Sequence, residues 1–251
     1  MELREARYGI SGDGRTAFIE MAAISGLPLV APEKRNPMLT TTFGTGELIR
    51  DALTRGCRDF IIGLGGSATN DAGLGMLQAL GFRFLDKAGN TLGYGGRIMG
   101  EVDTVDTTAV HPLLGECTFA AACDVRNPFC GTDGAARVFA PQKGADTAMT
   151  EALDAAMRHL AAVIRRSTGK DVSSCPGAGA AGGMGGSLSA FLDAGLKPGV
   201  QLLLETQHFA ERIKDADLII TGEGKSDKQT VMGKVPYGIL AEARKQGIPV
   251  I

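Results

Sequence analysis

Residues 60–80 read FIIGLGGSATNDAGLGMLQAL, and this stretch decides the fold class. It begins with Phe60–Ile62, an apolar run that is typical of a buried strand, and its last nine residues, Ala72 to Leu80, have the pattern of a helix. Glycines and small polar residues connect the two. Because α/β proteins are built from strands that alternate with helices, this strand, glycine-rich loop and helix predict an α/β fold.

Other elements can be placed on either side of this unit. Residues 11–14, SGDG, have turn composition and predict a hairpin. Residues 86–116 show little periodicity. Further strands are predicted at residues 6–10, 16–21, 118–122, 217–221 and 248–251. Further helices are predicted at residues 47–53, 148–166, 187–193 and 236–246.

Composition narrows the class of protein. The 251 residues carry a formal net charge of −2, and no Lys/Arg-rich run occurs, which argues against a nucleic-acid partner. No apolar stretch is long enough to span a bilayer, so no membrane partner is expected. The five cysteines are odd in number and form no CxxC pair, so neither a disulfide framework nor a zinc site is indicated. We therefore expect reduced thiols and a cytoplasmic location.

The loop after the predicted strand 60–62 is the first candidate site. Loop N–H groups together with a helix N-terminus bind anions, and side-chain hydroxyls add donors. Asn70 and Asp71 have a competing interpretation, since either could cap the helix. The negative charge of Asp71 would also repel a bare phosphate, so Asp71 would need a metal or a sugar hydroxyl as its partner. The candidate binding residues of this loop are Gly65, Gly66, Ser67, Thr69, Asn70 and Asp71.

Asp124 follows the predicted strand 118–122, at the position where open α/β sheets place their chemistry. A carboxylate there can hold Mg²⁺ or accept a proton from a substrate hydroxyl. Lys143, in the segment PQKG, can neutralise a phosphate or a carboxylate. The competing interpretation of Asp124 is a turn residue beside Asn127-Pro128.

Two further glycine-rich segments complete the candidates. Residues 177–186, GAGAAGGMGG, offer only backbone and close packing, through Gly182 and Gly183, and could equally be a tight helix-entry loop. Their GxGxxG spacing does not follow an apolar strand, as a dinucleotide site requires, and no P-loop occurs. Residues 221–236 mix carboxylates, lysines and glycines as phosphoryl transfer requires, although a charged surface loop has the same composition. Their candidate residues are Glu223, Lys225, Asp227 and Lys234.

Together these segments resemble the bacterial type I glycerate kinase family. The resemblance rests on GGSATNDAGLGM (65–76), AACDVRNP (121–128), PQKGA (141–145), GAGAAGGMG (177–185) and DLIITGEGKSDKQTVMGKVP (217–236). It implies a two-lobed α/β fold in which residues 1–205 form an inserted α/β lobe and residues 206–251 form part of a Rossmann-like parallel-sheet lobe. It also implies ATP-dependent phosphorylation of D-glycerate, usually to 2-phosphoglycerate, with Mg²⁺.

From the resemblance and the residues together we expect catalytic roles for Asp124, Lys143 and Asp227, and metal binding by Asp124 and Glu223. Which loop holds ATP and which holds glycerate stays open, and a homo-oligomer is compatible with the sequence. The alternative function is a non-catalytic metabolite-binding module that retains the loops. Family members usually begin with a strand and an Asp-Ser-Phe-Lys-Gly segment, which this chain lacks, and the chain ends inside a predicted strand. We therefore expect a part of the family's chain, folded but nearly inactive alone.

Overall fold

The structure is a computed structural model that describes residues 3–224 and 235–251. Its strands are β1 (Gly9–Ile10), β2 (Thr16–Glu20), β3 (Asp59–Gly63), β4 (Arg83–Leu85), β5 (Thr104–Asp106), β6 (Thr118–Ala122) and β7 (Gly195–Lys197). Its helices are α1 (Ala22–Ser25), α2 (Phe43–Thr54), α3 (Leu74–Ala79), α4 (Ala135–Phe139), α5 (Thr147–Thr168), α6 (Ala180–Leu192), α7 (Gly199–Thr206), α8 (Phe209–Arg212) and α9 (Val235–Lys245).

A mixed five-stranded sheet organises the larger part of the chain, with the strand order β1-β2-β3-β6-β7. β1 pairs antiparallel with β2, whereas β2, β3 and β6 run parallel. Alternate residues of the parallel strands are buried on one face, where Phe60 stacks on Phe119 with ring centroids 4.8 Å apart. Because parallel strands all end at the same edge, the loops after β2, β3 and β6 meet there.

The long helix α5 follows directly from the sequence. Leu153, Met157, Leu160 and Ile164 recur at helical spacing and are all fully buried. Asp146 caps the start by accepting a hydrogen bond from the Met149 N–H at 2.8 Å. Gly169 ends the helix in the left-handed conformation that glycine adopts without strain.

The chain divides into two compact units, one ending at Leu196 and the other running from Lys197 to Ile251. The second unit has a small core of its own around Ile213, Ala243 and Ile248. In it, Ile219 and Val250 form a parallel bridge. The assignment of the two units to an inserted lobe and a Rossmann-like lobe, with a boundary at residue 205, stays a prediction.

The predicted α/β class is confirmed, and the strand predicted at residues 118–122 coincides with β6. Three boundaries were wrong. α2 begins at Phe43 rather than Glu47, because the glycine-rich start FGTG packs tightly: a Cβ on Gly46 would lie 2.3 Å from the Met76 carbonyl oxygen. α3 begins only at Leu74, because Ala72 and Gly73 are left-handed.

The third boundary concerns α6, which begins at Ala180 rather than Ser187, with a left-handed kink at residues 181–183. The two strands predicted at the carboxyl-terminal end of the chain are reduced to the single bridge between Ile219 and Val250. No helix among the described residues has both the length and the apolar character needed to cross a bilayer.

Candidate functional site

A cavity of about 340 Å³ lies at the carboxyl edge of the parallel strands, within the first unit. The ends of β3 and β6 supply two of its walls, and the segments around α4 and α6 supply the others. The edge position is the one expected for chemistry in an open α/β sheet. The lining residues are Leu27, Leu64, Gly65, Gly66, Ser67, Ala122, Cys123, Asp124, Val125, Phe139, Gln142, Lys143, Ala180 and Ala181.

The loop after β3 presents unpaired backbone donors to this cavity. Within the described residues, the N–H groups of Gly65, Gly66 and Ser67 have no hydrogen-bond acceptor. Gly66 is left-handed at φ +73°, and a Cβ built on Gly65 would meet no atom within 4 Å. Successive free N–H groups in such a turn form a concave anion site. The loop therefore has the geometry of an anion site, and ligand binding by Gly65, Gly66 and Ser67 stays a prediction.

Lys143 lies beneath this loop and is only 2% exposed. Its Nζ donates to the Ser67 Oγ at 2.8 Å and to the Thr69 carbonyl oxygen at 2.7 Å. An ammonium group has three donors, so one is left for a ligand in the cavity that Lys143 lines. Burial lowers the pKa of Lys143 from 10.5 to about 7, and the charge of Asp71 opposes that shift. Without an anionic ligand, the protonated form of Lys143 is therefore only about as favourable as the neutral form near pH 7.

We expect the stability of the protein to rise with pH because of Lys143. Its native pKa lies below its unfolded pKa, so the unfolded chain binds more protons above about pH 7 and unfolding becomes less favourable as the pH increases. The slope should approach ~1.4 kcal/mol per pH unit between about pH 7 and pH 8.5. Urea unfolding across that range measures it.

The comparison variant is Lys143→Met, which should remove most of this slope. Lys170→Met is the matched control, since the Lys170 Nζ bonds the Ser189 carbonyl oxygen and Asp193 away from the cavity. Above about pH 9 four cysteines act in the opposite direction, because full or partial burial raises the pKa of Cys57, Cys117, Cys123 and Cys130. Equal slopes in wild type and Lys143→Met would contradict the assignment of the low pKa to Lys143.

Asp124 lies two residues after the end of β6 and lines the same cavity, so the structure brings it together with Lys143 and the Gly65–Ser67 loop. Asp124 and Lys143 are the charged side chains of the cavity lining. Asp124 is exposed, as a group that meets a ligand must be. Its neighbour Cys123 is buried and donates its S–H to the Val125 carbonyl oxygen at 3.1 Å, which helps to hold the turn.

Asp71 is completely buried and does not line the cavity. It accepts hydrogen bonds from the Thr42 N–H (2.8 Å), the Thr42 hydroxyl (2.9 Å) and the N–H groups of Gly73 (3.1 Å) and Gly75 (3.3 Å). Burial raises the pKa of Asp71, and these donors lower it. The carboxylate ties the start of α2 to the start of α3, which favours the capping interpretation. A ligand-binding role for Asp71 stays a prediction.

Asn70, Gly182 and Gly183 are buried behind the loop rather than in the cavity lining. The Asn70 amide points at the Met157 sulfur, 3.3 Å away. Gly182 supports the loop directly, since its carbonyl oxygen accepts the Ala72 N–H at 3.0 Å. The glycine-rich segment 177–186 therefore serves close packing in this structure, and direct ligand binding by these residues stays a prediction.

The fourth segment, residues 221–236, is described only at residues 221–224 and 235–236. Glu223 lies in the second unit, and Lys225, Asp227 and Lys234 lie outside the described residues. Among the described residues, no group of three or more His, Cys, Asp or Glu could hold a metal ion by itself. Asp124 fits Mg²⁺ only as a single ligand, which suffices where substrate phosphates supply further oxygens.

Sequence reasoning missed three parts of the site. Ala180 and Ala181 line the cavity, yet neither carries a functional group that a pattern could reveal. Ala181 is left-handed at φ 52°, a strained conformation for alanine. Gln142, next to Lys143, also lines the cavity and could have been inferred from its place in the PQKG segment. Thr42, the partner of Asp71, is separated from it by 29 positions and gave no signal.

Comparison with known proteins gives a consistent result. The sequence profile of the glycerate kinase family matches residues 1–251. Glycerate 2-kinase of Escherichia coli strain K12 is 52% identical over 246 residues, which cover 98% of this chain and 65% of the relative. Glycerate kinase of Haemophilus influenzae is 51% identical over 244 residues, covering 97% of this chain and 65% of the relative.

A solved crystal structure assigned as glycerate kinase 2 of Salmonella typhimurium LT2 superimposes with a TM-score of 0.91 at 49% identity, covering 97% of this chain and 65% of that one. The chain thus spans slightly less than two thirds of the length of these relatives. A family profile that matches along the whole sequence, relatives near 50% identity and a nearly superimposable backbone lead to one conclusion. This chain belongs to the glycerate kinase family.

Proposed function

We propose that this chain takes part in the ATP-dependent phosphorylation of D-glycerate, with 2-phosphoglycerate as the product. The observation that carries the proposal is the placement of the buried Lys143 against a loop of unpaired N–H groups at a sheet edge that also presents Asp124. Phosphoryl transfer needs hydrogen-bond donors that hold the anionic phosphate groups, a carboxylate and accurate positioning of the reactants. It needs no special nucleophile. The names of the relatives add glycerate as the acceptor and the 2-hydroxyl as the site of transfer.

The residues that line the cavity have different roles in this phosphoryl transfer. The N–H groups of Gly65, Gly66 and Ser67, with the free donor of Lys143, hold a phosphate or carboxylate group of the reactants. The hydroxyl oxygen of glycerate attacks the terminal phosphorus of ATP, the bond from that phosphorus to the bridging oxygen of ADP breaks, and Asp124 accepts the hydroxyl proton. Mg²⁺, held by Asp124 and by phosphate oxygens, would supply positive charge. Asp124 can serve as base or as metal ligand, and both roles need its charge.

The charge of Lys143 should depend on the ligand. In the free protein its pKa is about 7, so roughly half of the molecules carry the ammonium form at neutral pH. A bound anion favours the charged form and raises that pKa. Anion binding should therefore be accompanied by proton uptake near neutral pH.

The test is to incubate the purified chain with ATP, Mg²⁺ and D-glycerate and to follow the products by ³¹P NMR. The Escherichia coli glycerate 2-kinase serves as the positive control. Glycerate-dependent formation of ADP and 2-phosphoglycerate supports the proposal, at a rate far below that of the control, since a part of the family's chain is expected to be nearly inactive alone. ADP formation at the same rate when glycerate is left out, with water as the only acceptor, contradicts the proposal. Ligand binding by calorimetry without any transfer would favour the alternative, a metabolite-binding module.

Asp124→Asn is expected to lower glycerate-dependent turnover at least about a hundredfold, since loss of a base or metal ligand has effects of that size. Asp124 is exposed, so the same change should alter the free energy of unfolding by no more than about 0.5 kcal/mol. Asp133→Asn, at an exposed position outside the cavity lining, is the matched control. An Asp124→Asn variant with normal melting and a near-normal rate would show that Asp124 is only a turn residue.

A further inference from the structure

A buried carboxylate outside the cavity lining joins three segments of the first unit. Asp154 lies on α5 and is only 2% exposed. Its Oδ1 accepts a hydrogen bond from the Gly131 N–H at 2.7 Å, in the connection between β6 and α4. Its Oδ2 accepts hydrogen bonds from the guanidinium groups of Arg137, on α4, and Arg158, one turn further along α5. A buried carboxylate is tolerated only with such partners, and the proposed function gives this cluster no role.

The chain that Asp154 holds carries both charged groups of the cavity at the sheet edge. Asp124 lies seven residues before Gly131, and Lys143 lies six residues after Arg137. The Lys143 N–H bonds the carbonyl oxygen three residues earlier at 2.9 Å, so the turn that bears this lysine follows directly on α4. A shift of α4 relative to α5 would therefore carry Lys143 with it.

The helix α5 is held firmly by the core. Leu153 and Met157, on either side of Asp154, are fully buried. The turn at Gly131 has φ +103°, which favours glycine, and a Cβ built there would meet only the Arg158 Nη2, at 3.8 Å. Because a hydrogen bond from an N–H group to a carboxylate is one of the stronger kinds, the 2.7 Å contact holds this turn to α5.

The two arginines differ in what they connect. Both bond the same carboxylate oxygen, and their side chains are similarly exposed, 43% for Arg137 and 56% for Arg158. Arg158 lies four positions after Asp154 on the same helix, so its ion pair joins no two elements. Arg137 bonds through its Nε at 3.3 Å, and this contact crosses from α4 to α5. The position of α4 therefore depends on Arg137 and not on Arg158.

We propose that Asp154 and Arg137 form a positioning pair, which holds α4 against α5 and so keeps the Lys143 ammonium group within bonding distance of the loop after β3. The Lys143 Nζ lies 2.8 Å from the Ser67 Oγ and 2.7 Å from the Thr69 carbonyl oxygen, and a shift of about 1 Å would break such contacts. Neither member of the pair touches a reactant, since both act through Lys143. The importance of that lysine for anion binding rests on the proposed function, whereas its placement by the pair does not.

The first test compares Arg137→Gln with its matched control, Arg158→Gln, by amide NMR of the whole chain without ligand. Each change removes one half-exposed positive charge from the same carboxylate, so both variants should fold. We expect Arg137→Gln to shift the amide signals of Lys143 and Ser67, whereas Arg158→Gln should change signals only near Asp154. A loss of stability alone does not move the signals of the folded state. Equal shifts at Lys143 and Ser67 in the two variants, or no shift there in Arg137→Gln, would overturn the proposal.

The second test is the binding of inorganic phosphate at constant ionic strength, read from the Gly65 and Gly66 amide signals. In Arg137→Gln we expect the dissociation constant to rise about 3- to 30-fold, the range for residues that act on a site through other residues, and in Arg158→Gln to stay within about twofold of wild type. Arg158→Gln removes two hydrogen bonds and Arg137→Gln removes one. The melting temperature should therefore fall at least as far in Arg158→Gln.

The two measurements separate a positioning role from a purely structural one. A phosphate affinity that falls in step with the melting temperature would overturn the proposal, because the pair would then only stabilise the fold. If phosphate leaves the Gly65 and Gly66 signals unshifted in the wild type, the anion site of the proposed function fails. The ligand-free amide shifts would still decide whether the pair places Lys143.

Discussion

Lys143→Met is expected to lower the kcat/KM for glycerate-dependent ADP formation by about 10²–10³-fold, the usual effect of removing one charged or oriented donor from a transition state. The buried ammonium group is the cation of the cavity at the sheet edge, and its Nζ also holds Ser67 and Thr69 in place. Methionine has similar length and no charge. Steady-state rates and calorimetric dissociation constants for ATP and glycerate give the measurement.

The pH profile distinguishes an electrostatic role from a structural one. In the wild type, kcat/KM should decline above about pH 7, because Lys143 of the free protein loses its proton there. The decline should be absent in Lys143→Met, and Lys170→Met should behave as wild type. If Lys143→Met keeps a wild-type kcat/KM, or keeps the same decline, then Lys143 is a packing residue of the loop and its proposed role in holding an anionic group of the reactants is wrong.

Gly182→Ala is expected to destabilise the protein by more than about 4 kcal/mol, a loss in the range that only specific structural conflicts produce. Gly182 is left-handed at φ +67°, and a Cβ there would lie 2.2 Å from the Thr69 carbonyl oxygen and 2.6 Å from the Asn70 Cα. Both contacts are with backbone, so no side-chain rotation can relieve them. The loop that carries Thr69 would have to move, and Lys143 would lose one of its two partners.

Gly169→Ala is the matched control, because Gly169 has a similar φ of +77° but no atom within 4 Å of a built Cβ. It should cost only about 1–2 kcal/mol, the conformational penalty of a left-handed alanine. Urea unfolding of both variants separates the conformational penalty from the steric one. A Gly182→Ala variant that loses no more stability than Gly169→Ala would show that the 69–72 loop and the 181–183 kink can move apart cheaply.

The elements that the sequence predicted well are those whose signal is local. The apolar periodicity of α5, the short apolar runs of β3 and β6 and the glycine-rich loop after β3 all depend on residues within a few positions of one another. The position of Asp124 at the end of a strand could be predicted for the same reason. The resemblance to a family added the proposed substrate and the proposed reaction, which residue patterns alone could not supply.

The roles of individual residues could not be predicted, because they depend on partners that are distant in sequence. Asp71 and Thr42 are 29 positions apart, and their hydrogen bonds favour a structural role for a carboxylate that looked like a ligand. Lys143 and Ser67 are 76 positions apart, and only their contact shows that the lysine is buried beneath the loop.

By itself, the sequence determined the α/β class, the strands followed by glycine-rich loops and the resemblance to the family, because backbone preference and apolar spacing depend on neighbouring residues. Only the tertiary structure decided which polar groups are buried, which keep a free donor and which meet in one cavity. The physical reason is that the desolvation of Lys143, the pairing of Asp71 and the unused hydroxyl of Thr69 are properties of the space between segments.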